Sequence, residues 1–137
     1  MKIKKIIKIV LVSIVAMVVI VVFAFKSYYY SKINNIKLPE GTRTIKVEIS
    51  ISDVYGYHVC AEKIVETALS WDELSKFVIE NNKEENVHIF SIMKDKSGYQ
   101  IEWDDYGIDP DWIKGKEKEG MNYYLITNNT PYFSWVY

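Results

Sequence analysis

Residues 9–25 read IVLVSIVAMVVIVVFAF, with no charge and a single polar side chain, Ser13. As a helix rising about 1.5 Å per residue, this stretch covers roughly 26 Å. Counted back to Ile6, with Lys8 snorkelling toward the headgroups, it covers roughly 30 Å, the thickness of a hydrocarbon core. A lone segment in lipid must satisfy its own backbone polar groups, so a helix is the expected form despite the many β-branched residues. Ile9, Val15, Val19 and Phe25 mark the expected anchor.

The flanks predict the orientation. Lys2, Lys4, Lys5 and Lys8 precede the apolar run, whereas Lys26, Lys32 and Lys37 follow it more thinly. The positive-inside bias then puts the N-terminus in the cytoplasm and the remainder outside. Tyr28, Tyr29 and Tyr30 come next, where an aromatic belt is expected. A cleaved signal peptide is the rival reading, since Val22-Phe23-Ala24 offers small residues for a cut after Ala24. The length of the run and the bulky residues after it favour an uncleaved anchor. No ionisable group lies in the span, so it reads as an anchor and not as a proton or ion pathway.

The rest of the chain has a different character. From Lys26 onward there are 13 basic and 18 acidic residues, a formal charge of about -5. Nucleic acid is not an expected partner, because phosphate contacts need clustered positive charge. Sixteen of the 17 basic residues are Lys, and Ile, Asn and Tyr are abundant, as in an AT-rich bacterial genome. One cysteine, Cys60, cannot close a disulfide within the chain, so the core alone must hold the fold.

The expected organisation is a cytoplasmic basic tail (1–8), a transmembrane helix (9–25), a tether (26–41) and an extracytoplasmic α+β domain (42–137). Residues 42–51 alternate, with Ile45, Val47, Ile49 and Ile51 on one face, which predicts a half-buried strand. Residues 57–67 form a second strand, with a helical alternative over 61–69. Ser70 and Glu73 make a capping box with Leu69 and Leu74 as its hydrophobic staple, and Trp71, Leu74, Phe77 and Val78 share a face of the helix it starts. Asn81-Asn82 suits a left-handed stop. Residues 87–94 and 99–103 form a hairpin, and a last hairpin turns at 128–131. The sum is an α+β class: an antiparallel sheet of five or six strands with one packed helix.

The order of membrane helix, strand, Leu69-Ser70-Trp71-Asp72-Glu73-Leu74 helix and strand is similar to that of the ExbD/TolR energy-transduction subunits. Those carry a functional Asp in the membrane helix. Residues 9–25 hold no acid, so no residue role carries over.

The candidate sites are few. Asp104, Asp105, Asp109 and Asp111 are calcium candidates, although their spacing departs from the helix–loop–helix calcium motif and a solvated acidic loop is the simpler reading. His58, Cys60 and His88 fall short of the four ligands of a structural zinc site. Cys60 with His88 is the available nucleophile–base pair. Trp112, Tyr132 and Trp135 are the candidate partner surface, for a protein or a wall polymer. No phosphate loop or nucleophile elbow is present, and no cofactor is expected. The expected role is a membrane-anchored binding or accessory protein. The alternatives are a small surface enzyme, a calcium-binding domain, or a secreted domain after cleavage.

Overall fold

A computed structural model of the chain describes residues 2–52, 58–83, 86–101 and 108–131. Helix α1 spans Lys2–Asn34, about 50 Å at the usual rise, and is long and apolar enough to cross a membrane. Its side chains from Ile3 to Phe23 touch almost nothing: Val12 is 68 % exposed and Phe23 73 %. Apolar surface of this extent needs a non-aqueous surrounding.

The helix does not stop at the end of the apolar run. The segment read as a tether is helical to Asn34, and its Tyr29 and Ile33, continuing from Phe25 at the end of the apolar run and spaced four apart, lie on one face and pack into the domain. Of the tyrosine triplet, Tyr29 is buried in the core while Tyr28 and Tyr30 remain exposed.

The domain contains β1 (Arg43–Ser52), β2 (His58–Thr67), α2 (Trp71–Asn81), β3 (Val87–Asp95), β4 (Gly98–Ile101) and β5 (Asn122–Pro131). The strands form one antiparallel sheet in the order β1-β2-β5-β3-β4. This is the expected α+β class with five strands. β5 pairs with β2 over ten residues, from His58↔Pro131 to Thr67↔Asn122. The turn expected at 128–131 is therefore not made there: these four residues continue the strand, where the β2 ladder supplies their backbone partners. The residues that were to form its second arm lie outside the described residues.

Each face of the sheet carries its own core. One holds Val59, Ala61, Val65, Tyr124 and Ile126 beneath Tyr29 and Ile33 of the α1 end, Ile36 just after it, and Leu74 and Val78 of α2. The other holds Ile64, Leu125, Ile92 and Tyr99 beneath Ile108 and Ile113. The alternation read in β1 breaks at a bulge between Thr44 and Lys46. Ile45 thereby packs with the second core, while Val47 and Ile49 pack with the first.

The capping box of α2 forms as the sequence predicts. Ser70 Oγ accepts the Glu73 N–H at 3.4 Å, and the Glu73 carboxylate accepts the Ser70 N–H at 2.8 Å. The helix ends differently from the expectation. Asn82 has φ -122° and no non-glycine residue among those described has positive φ. The Asn82 side chain instead donates to the carbonyls of Val78 (2.8 Å) and Lys37 (3.1 Å) and accepts the Lys37 N–H (2.7 Å). This ties the end of α2 to the segment that leaves α1. At the other end of α2, the Trp71 Nε1–H donates to the Ile89 carbonyl at 3.1 Å.

Candidate functional site

β2 is buried on both faces, and it is where the sequence has placed Glu62, Lys63 and Glu66. Alternation sends Glu62 and Glu66 to the face that carries Ile64, and Lys63 to the face under the helices. Burying charge is costly unless it is paired, so the surroundings of each group indicate its role.

Glu66 has the fullest shell. It accepts from Tyr123 Oη at 3.0 Å and faces Arg43 and the Lys118 ammonium at 3.2 Å each. Burial pushes its carboxyl up, but the hydrogen bonds from Tyr123, Lys118 and Arg43 outweigh this and hold it below the usual range. Beside it opens a cleft of about 510 Å³ lined by Lys94, Tyr99, Glu117, Met121 and Tyr123 among others. Tyr99 Oη donates to Glu117 at 2.7 Å, and Lys94 sits 3.5 Å from the same carboxylate. Burial, then Glu117, push the Tyr99 phenol up to about 12. The bond from Tyr99 leads the causes that bring Glu117 down to about 2. Both carboxylates are thus held ionised and both phenols protonated across the neutral range. Each carboxylate is therefore held in place by a phenol and by cations, Glu66 beneath the surface and Glu117 at the rim of the cleft.

Glu62 accepts the Ile108 N–H at 2.9 Å from within the core, and so seats the start of the 108–113 segment on the sheet. Next to it, Thr127 Oγ1 is buried with no hydrogen-bond partner among the described residues. Burial, with the Glu62 charge second, pushes the Cys60 thiol up, which disfavours the nucleophilic thiolate. Cys60 is on β2 and His88 on β3, with β5 between them. Two strand spacings, about 10 Å, separate their strands, so the nucleophile–base pair does not form. The His58 side chain lies outside what is described.

The acidic loop is only partly described. Asp109 accepts the Asp111 N–H at 2.8 Å and caps the 3-10 turn Pro110–Ile113. Asp111 takes the Lys114 ammonium at 2.8 Å and the Tyr99 N–H at 3.4 Å. Gly98, with φ +131°, lets the β3–β4 turn pass this carboxylate, since a Cβ there would meet Asp111 Oδ1 at 3.0 Å. Among the described residues no three His, Cys, Asp or Glu side chains cluster as for a metal. Asp104, Asp105, Tyr132 and Trp135 lie outside the described residues. Trp112 is described: it is 44 % exposed, with Lys46 Nζ 4.0 Å and Lys116 Nζ 4.7 Å from its ring centre.

Sequence reasoning missed the charged trio of β2. Its one visible signal is that Glu62 and Lys63 are adjacent, so they must enter opposite faces of a strand bounded by Val59 and Ile64-Val65. No protein-family model, curated protein or solved structure matches the chain.

Proposed function

We propose that this chain is a single-pass membrane protein whose α+β domain stands outside the cytoplasm and serves as a binding or accessory module for a surface partner, a protein or a wall polymer. The observation that carries this reading is the division of α1. It is exposed on every side along the apolar run and buried along one face from Phe25 onward. A helix divided in this way has one part suited to lipid and one part suited to the domain core. The four lysines within the eight residues ahead of the run, against Lys26, Lys32 and Lys37 spread thinly after it, support an inward N-terminus. The fixed ion pairs of Glu66 and Glu117 support a recognition surface in preference to a reaction centre.

The test is labelling of intact cells with a membrane-impermeant maleimide. Lys4→Cys and Lys96→Cys are made in a Cys60→Ala background and recovered in the membrane fraction. The proposal expects position 96 to label and position 4 to label only after lysis. The reverse pattern overturns the orientation. A product in the medium that lacks residues 1–24 replaces the anchor with a secreted domain.

A further inference from the structure

At the point where α1 leaves its apolar run, a second cleft of about 630 Å³ opens between the helix and the outer strand β1. Phe23, Lys26 and Tyr30 line it from α1, Lys46 and Glu48 from β1, and Trp112 from the 3-10 turn. β1 is the edge of the sheet, so this cleft borders the free side of the strand. Lys116 joins it through the Trp112 ring, on which two ammonium groups converge. Lys26, Lys46 and Lys116 against Glu48 leave this spot positive, on a segment that carries about -5 in total. Phe23, on one wall, belongs to the apolar run itself, and Lys26 is the first charge after it. The cleft therefore spans the level where hydrocarbon gives way to headgroups, if α1 crosses the bilayer as proposed above. A half-exposed tryptophan at that level, with an apolar ring and a polar N–H, is suited to the interface.

We infer that this cleft takes the phosphate-bearing headgroup of an acidic phospholipid from the adjacent leaflet. Lys26 and Lys46 face the phosphate, Lys116 adds its charge from the Trp112 ring, Phe23 flanks the upper acyl chains and Tyr30 borders the headgroup on its outer side. Two of these lysines line the cleft, the third reaches it through the Trp112 ring that walls it, and a volume of this size accommodates a small ligand. The inference rests on the membrane-anchor reading.

The full chain, purified in detergent, is given equal amounts of phosphatidylglycerol and phosphatidylcholine and examined by native mass spectrometry. Phosphatidylglycerol is expected to be retained in preference. Lys46→Ala and Lys116→Ala should each lower its retention about fivefold, since a lysine near the surface contributes that much to anionic-lipid affinity. Lys116→Ala alone alters only an exposed side chain and keeps the test independent of folding. Millimolar inorganic phosphate should displace little, which separates a lipid site from a free-phosphate site. Equal retention of the two lipids overturns the inference while leaving the anchor reading intact, as does unchanged retention in the variants. A chain that pairs with a second copy through β1 and shows no lipid preference overturns it too. A chain that stays in solution without detergent and holds neither lipid removes both readings.

Discussion

Ile33→Ala is expected to cost the folded domain about 3 kcal/mol, within the range for deleting most of a fully buried aliphatic side chain. Ile33 lies on α1, eight residues past the last residue of the apolar run. Even so it has no exposed surface and packs with Val59, Val65 and Ile126 of the sheet. If the helix were only a leash, removing three carbons from it would leave the unfolding of the domain within about 0.5 kcal/mol of the parent. Urea unfolding of the full chain in mild detergent, followed by tryptophan fluorescence, distinguishes the two cases. Val19→Ala is the control. Val19 is 60 % exposed in the apolar run, and its truncation should leave the urea midpoint of the domain in place.

Lys63→Met is expected to have the opposite sign, a gain of about 2 kcal/mol at pH 7. Lys63 is 1 % exposed, stands opposite Val47 and Ile126 in the ladder, and has no ion-pair partner among the described residues. Burial pushes its ammonium from the ordinary 10.5 down to about 8. That gap corresponds to about 3 kcal/mol, and the imperfect fit of methionine in the space of the lysine lowers it to the expected gain. Methionine keeps the length and flexibility of the stem without the charge. The pH dependence follows from the same groups. Between about 8 and 10.5 the unfolded chain binds the Lys63 proton more than the folded one, so this residue makes stability rise with pH through that window. Below pH 8 its full cost is present. Cys60, Tyr99, Tyr123 and Tyr124 are all pushed up in the fold. Their contribution to the folded state is fully present and constant well below their ordinary values of 9.0 and 10.0, and falls as pH rises through those values because the folded groups hold protons that the unfolded ones release. Because they are common to both proteins, the parent-minus-variant difference isolates the lysine. It should shrink as pH rises from 8 to 10. A difference that stays constant across that range would mean that Lys63 keeps its ordinary pKa.

Local signals were legible in the sequence where they depend on a few neighbouring residues. The capping box at Ser70 and Glu73 is such a case, because both partners are three residues apart and the helix start needs nothing else. The apolar run is another, because length and the absence of charge are sufficient. What failed depended on partners far along the chain. Asn128 to Pro131 carry turn-forming residues, but β2 offers them a ladder from Ala61 to His58, and tertiary pairing overrides turn preference. The bulge at Ile45 is invisible to simple alternation because Ile45 and Val47 are alike in character and differ only in which core receives them. The run Phe25, Tyr29, Ile33 and Ile36 did carry a helical period, but Asn34, Asn35 and Pro39 beside it read as breakers. For the candidate site, Trp112 was identifiable as an unusual aromatic, whereas its lysines come from β1 and from the segment after the 3-10 turn. Glu66 and Lys118 are 52 positions apart, and their pairing is set by the fold alone.

We propose that α1 is one helix with two solvents, lipid along residues 9–24 and the protein core from Phe25 to Ile33. Hydrogen exchange of the full chain in lipid nanodiscs tests it at residue level. The account predicts that amides 27–34 exchange as slowly as those of β2 and β5, with the apolar run slower still. Rapid exchange of 27–34 beside a protected sheet would contradict it and return the segment to a flexible tether.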